Sequence, residues 1–75
     1  MASKVVVYTT DYCPYCRAAK DHLRSKKIAF QEIDVTHDDT MREKLVEMTG
    51  RPTVPQIFVD GKSIGGYEDL VRLYP

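Results

Sequence analysis

Val5-Val6-Val7-Tyr8-Thr9, then three residues later Cys13-Pro14-Tyr15-Cys16, is the stretch that decides how this chain folds. The first string is β-branched and aromatic, the composition of a buried strand, with Lys4–Thr9 as its predicted extent. The second places Pro14 where a helix takes its first turn, a position where the N–H that proline lacks has no intrahelical partner. Two thiols at the point where a strand hands over to a helix form the outline of a thiol–disulfide exchange site. Their spacing lets the sulfurs close a small disulfide on each other. Cys13 precedes the helix, so its sulfur meets unpaired backbone N–H groups and the positive end of the dipole, and both favour a thiolate. It is the expected nucleophile. Cys16, one turn inside, is the expected resolving thiol, shielded and harder to ionise. Two inert structural thiols are the bland alternative, and the helix-start position argues against it.

Outward from this string the elements alternate. Ala18, Ala19, His22 and Leu23 recur at helical spacing, which predicts a helix from Pro14 as far as Lys27. Ile28–Val35 reads as a second strand with Phe30, Ile33 and Val35 toward the core. Asp38 or Asp39 caps a second helix that carries Met41, Leu45, Val46 and Met48 inward and stops at Gly50. Gln56–Val59 and Lys62–Ile64 flank Asp60-Gly61, a hairpin turn signal. Gly65-Gly66 opens a short last helix, Tyr67 to Tyr74, with Leu70, Val71 and Leu73 as its apolar contacts. The order is βαβαββα. A βαβ unit places its two strands parallel with a right-handed crossover, and the hairpin adds two antiparallel strands. The expectation is an α/β fold, a four-stranded mixed sheet with three helices, in a single domain over residues 1–75.

Composition narrows the function. Eleven basic and eleven acidic side chains cancel, which offers nothing to nucleic acid or to an anionic membrane surface. No apolar run is long enough to span a bilayer. Met1-Ala2-Ser3-Lys4 lacks the apolar stretch of a leader peptide, and two cysteines do not make a secreted disulfide scaffold. A cytoplasmic monomer is therefore expected, since no apolar surface stripe is left over. His22 and His37 together with the two cysteines do not have zinc-finger spacing, and His22 lies on another helix face from Cys16, so no metal is expected. Arg17, Lys20, Arg24, Lys26 and Lys27 read as a solvated basic face.

Cys13-Pro14-Tyr15-Cys16, then Thr53-Val54-Pro55-Gln56-Ile57-Phe58, then Gly65-Gly66-Tyr67-Glu68-Asp69-Leu70 together resemble the dithiol glutaredoxins of the thioredoxin superfamily. The resemblance runs over essentially the whole chain. It implies a thioredoxin-like (glutaredoxin) fold and an oxidoreductase that uses glutathione to reduce protein disulfides and protein–glutathione mixed disulfides. Ribonucleotide reductase is among the candidate protein substrates. An X–Pro bond is cis in only about 5–6% of folded cases, so the residues alone favour a trans Val54–Pro55 bond; the resemblance implies cis, with the proline facing Cys13. Thr53, Val54 and Pro55 would then offer backbone to an extended thiol peptide. The resemblance places the γ-glutamyl end of glutathione at Gly66, the Glu68 backbone and the Asp69 side chain. Arg51, just before Thr53-Val54-Pro55, is the best placed candidate for the cation that the glycyl carboxylate needs, and Tyr15 is a candidate for an apolar wall. Where many members carry a lysine three residues before the first cysteine, this chain has Thr10. Two other readings remain at this point: a dimer holding an iron–sulfur cluster, which Pro14 and Cys16 disfavour, and a redoxin served by thioredoxin reductase, which the glutathione contacts disfavour.

Overall fold

Exposure along β1, Val5–Thr9, alternates: Val5, Val7 and Thr9 are buried, whereas Val6 and Tyr8 are half-buried. Period-two alternation gives the strand two different faces. Val5 and Val7 meet Ile57 of β3 (Gln56–Val59), and onto this face pack Ala19 and Leu23 of α1 (Pro14–Ser25) and Leu70 of α3 (Tyr67–Leu73). On the other face the Tyr8 and Phe58 rings meet edge-on with centroids 5.4 Å apart. Each fully buried Leu or Ile contributes about 1.5–3 kcal/mol, so the four at Leu23, Ile57, Leu70 and Leu45 carry much of the stability of so small a chain. A computed structural model describes residues 4–75; the leader-peptide reading of Met1-Ala2-Ser3 lies outside them.

The sheet runs in the order β2-β1-β3-β4. β1 pairs parallel with β2 (Gln31–Asp34), placing Val6 beside Gln31, and antiparallel with β3, placing Val7 beside Ile57. β4 (Lys62–Gly65) returns antiparallel along β3, with a bulge at Ile57/Phe58. Four strands in mixed pairing and three helices in the order βαβαββα match the expectation. The hairpin turn is as the residues imply: Asp60 (φ 52°) and Gly61 (φ 83°) are both left-handed, the pattern whose twist suits a two-residue hairpin. Asp60 also stitches the turn to the start of β1, its carboxylate accepting the Lys4 N–H at 2.9 Å and its own N–H donating to the Lys4 carbonyl at 2.8 Å.

Some boundaries and contacts differ from the sequence reading. The first helix ends at Ser25, because Lys27 adopts a left-handed φ of 57° and turns the chain back so that the Ile28 N–H reaches the Leu23 carbonyl at 3.0 Å. Ile28–Phe30 is therefore a lead-in, and β2 begins only at Gln31, where pairing with Val6 starts. In α2 (Asp39–Thr49), Asp38 is the cap, accepting the Met41 N–H at 3.0 Å, and Gly50 ends the helix at φ 72°. Only Leu45 is buried in α2; Val46 (40% exposed) lies about 100° round the helix from it, and Met48 (57%) sits in the last turn, where nothing covers it. Leu73 is likewise half exposed in the last turn of α3, beyond the buried Leu70.

The basic face of α1 is not wholly solvated. Lys20 Nζ lies 2.8 Å from Glu32 Oε2, and Thr9 Oγ1 donates to the same oxygen at 2.7 Å, which ties α1, β1 and β2 at one point. The Lys20 hydrogen bond, then that of Thr9, hold the Glu32 carboxyl below its ordinary range. His22 Nε2 and the Tyr74 carbonyl, 2.5 Å apart, join α1 to the end of α3.

Candidate active site

Pro14 starts α1 and leaves Cys13 as its N-cap, with extended φ/ψ of −95° and 115°. The first helical turn carries no acidic residue, so nothing there offsets the positive end of the dipole. Cys13 is partly exposed, and its thiol donates to the Val54 carbonyl at 3.5 Å. Cys16, one turn deeper, is 1% exposed. Both cysteines are free thiols. Burial pushes the Cys16 thiol from its ordinary 9.0 up to about 12, against a hydrogen bond from the Thr10 backbone that favours the anion; the neighbouring Cys13 pushes it further up. Thr10, at the place where a lysine was weighed, is 5% exposed, and its hydroxyl has no partner among the described residues.

The Val54–Pro55 peptide is cis, as the family resemblance implies and the residues alone do not. The Val54 carbonyl beside Cys13 belongs to one wall of a groove of about 330 Å³, formed by Thr53, Val54 and Pro55. Gly66, Tyr67, Glu68 and Asp69 line the same groove, with Tyr15 and Arg51 completing it. All eight residues assigned to a glutathione site from the sequence thus stand around one cavity, with Cys13 against its Val54 wall.

Two contributors were missed. Tyr67 lines the groove, its ring 6.2 Å from that of the exposed Tyr15. The sequence places it at the start of the last helix, but gives no sign that it faces a groove. Gly65 is read from the sequence, with Gly66, as the opening of the last helix and not as a site residue. It takes φ +111°, and a Cβ there would run into the Asp69 carboxylate. That carboxylate accepts the Gly66 N–H at 3.0 Å, so glycine at 65 is what lets Asp69 fold back over the start of α3.

Arg51 and Asp69 were assigned to opposite ends of a ligand, yet Arg51 Nη1 lies 3.8 Å from Asp69 Oδ2. Their side chains are 62% and 36% exposed, and such a pair is worth about 0–1 kcal/mol. It costs little to exchange for ligand groups. A second groove of about 380 Å³ reaches Cys13 past Asp11, Tyr12, Pro14 and Arg17. Among the described residues no three His, Cys, Asp or Glu side chains gather as a metal site; His22 is engaged with Tyr74, and His37 is exposed.

Comparisons with known proteins bear on this arrangement. The glutaredoxin family model matches residues 5–64. Glutaredoxin 3 of Escherichia coli K12 is 45% identical over 71 residues, covering 95% of this chain and 86% of that protein. A buckwheat glutaredoxin–glutathione complex superposes with a TM-score of 0.88 at 30% identity, over 93% of this chain and 66% of that one. A glutaredoxin from Brucella melitensis gives 0.83 at 40% identity, over 96% and 78%. With a family model spanning most of the described residues, and a fold and dithiol geometry that agree with it, the chain belongs to the glutaredoxins, thiol oxidoreductases of thioredoxin-like fold.

Proposed function

We propose that this protein reduces protein disulfides and protein–glutathione mixed disulfides with glutathione as electron donor. The observation that carries the reading is the placement of Cys13 Sγ, 3.5 Å from the Val54 carbonyl, at a groove sized for a tripeptide and lined by a cation, an anion and free helix-start backbone. Glutathione is a thiol peptide with a carboxylate at each end and one ammonium group. Arg51 suits the glycyl carboxylate. Asp69 suits the ammonium, and the Glu68 backbone at the start of α3 suits the γ-glutamyl carboxylate. Gly66 and Tyr15 bound the site, and Thr53, Val54 and Pro55 offer extended backbone to the peptide.

Removal of glutathione from a protein needs one cysteine. The Cys13 thiolate attacks the glutathione sulfur, the protein thiolate leaves and takes a proton, and Cys13 is left as a mixed disulfide. A second glutathione thiolate attacks that disulfide, releasing oxidised glutathione and the Cys13 thiolate. Reduction of a protein disulfide adds Cys16: it gives up its proton and attacks Cys13 Sγ, expelling the second protein thiol and closing a Cys13–Cys16 disulfide that two glutathiones reopen.

A thiol with a pKa of about 12 is thiolate in roughly 1 molecule in 10⁵ at pH 7, which taken alone would disable Cys16. Two effects offset this. Intramolecular attack carries an effective molarity of about 10⁵–10⁸ M when well aligned. And part of what suppresses Cys16 ionisation is the neighbouring Cys13 itself. Once Cys13 is bound in a mixed disulfide that influence disappears, so Cys16 becomes more acidic at the stage that needs its anion.

We infer that the protein acts as a monomer. No helix among the described residues is long and apolar enough to cross a membrane. A coupled assay that offers glutathione with its NADPH-dependent reductase, or thioredoxin reductase, as alternative electron sources tests the reading. Turnover with the glutathione system alone supports it. Turnover only with thioredoxin reductase would sink it.

A further inference from the structure

Gln56 is the one buried side-chain amide among the described residues. It is 2% exposed and opens β3 between Pro55 and Ile57, where an apolar residue would be cheaper to bury. Its Nε2 donates to the Arg51 carbonyl at 2.7 Å, and its Oε1 is buried without a partner among the described residues. A half-satisfied amide in a core needs a physical reason. Arg51 supplies one. Residues 50–55, between α2 and β3, have no regular structure, so no helix or strand ladder holds the Arg51 backbone. Side chains hold it instead. Thr49 Oγ1, which donates to the Leu45 carbonyl at 2.7 Å, accepts the Arg51 N–H at 3.2 Å, and Gln56 closes on the carbonyl from the core side. Arg51 is thus pinned on both sides of its Cα, while its 62% exposed side chain reaches along the groove toward Asp69.

We propose that Gln56 is a positioning residue for the thiol tripeptide: it holds the Arg51 backbone so that the guanidinium meets the glycine-end carboxylate, without itself touching the ligand. This rests on the reading of Arg51 given above. The Thr49 contact survives when Gln56 is altered, so the loop stays attached and only its aim is lost.

The test is steady-state kinetics of Gln56→Met, which is close in volume but has no donor, with two thiols: glutathione and γ-glutamylcysteine, which lacks the glycine. The expected result is a glutathione KM raised about tenfold, the loss of one charge-assisted contact's alignment, with kcat unchanged. The γ-glutamylcysteine KM should stay within about twofold, and in an Arg51→Ala background Gln56→Met should add nothing. A merely structural role would move both thiols alike and would add to Arg51→Ala; either result overturns the proposal. So does an unchanged glutathione KM in Gln56→Met when Arg51→Ala raises it. If Arg51→Ala itself leaves the glutathione KM alone, the assignment of Arg51 falls, and this inference with it. Gln56→Asn, which keeps the amide but withdraws it by one methylene, gives the same readout should the Met variant fail to fold.

Discussion

Cys13 and Cys16 are the same residue type one helical turn apart, yet the fold treats them as different chemicals. Cys13 caps α1, half in solvent, with its thiol on the Val54 carbonyl beside the groove. Cys16 is 1% exposed, beneath the Thr10 backbone, and holds its proton up to about 12. One sulfur is open to a partner; the other is reachable only by its neighbour. The lesson is that a helix terminus separates roles that composition leaves equal. The first turn exposes its cap and its orphan N–H groups, and the next turn already faces the core.

The largest effect should come from removing the exposed sulfur. Cys13→Ser should reduce every exchange activity to background, measured on both a small glutathione mixed disulfide and a protein disulfide; residual turnover on either would mean Cys16 is not confined to the second step. Cys16→Ser should sharpen the contrast, sparing the mixed-disulfide reaction while protein-disulfide reduction fails. Equal loss on both substrates would erase the distinction drawn here. Away from the sulfurs, Asp69→Ala should raise the glutathione KM about tenfold with kcat little changed, as a charged hydrogen bond worth about 1.5–3 kcal/mol is lost. It should also lower stability by about 1 kcal/mol, because the same carboxylate caps α3 at the Gly66 N–H.

The proton on Cys16 makes a further difference at alkaline pH. Its folded pKa lies above its unfolded value, so the folded chain binds the extra proton between about pH 9 and 12, and stability should fall as pH rises through that window. Denaturant unfolding of the reduced protein at pH 9 and 11 should show this decline, and Cys16→Ser should flatten it; an equal slope in the variant would mean the buried thiol is not the titrating group. The smallest effect belongs to the edge of the molecule. Met48→Ser, at a 57% exposed position on α2, should change stability by no more than about 0.5 kcal/mol, unlike Leu23→Ala in the core, at about 2–5 kcal/mol.

Element order was legible because periodicity and punctuation act locally. The β-branched run of β1, Pro14, Asp38 with Gly50, and Asp60-Gly61 each state a local backbone preference that the fold obeys. Val46, Met48 and Leu73 misled because apolar character does not say whether another element lies opposite, and none does. The start of β2 was placed early because the turn at Lys27 depends on the Ile28–Leu23 hydrogen bond, which leaves no mark in composition.

What the amino acids by themselves determined is the alternation of elements and the position of two thiols at a helix start, since both follow from steric and dipolar preferences acting within a few residues. Only the tertiary structure decided which peptide bond would face Cys13, that Arg51 and Asp69 would come within 3.8 Å, and that a buried glutamine would hold a loop from beneath. Those contacts join segments distant in the chain, and their geometry exists only once the sheet has set the distances between them.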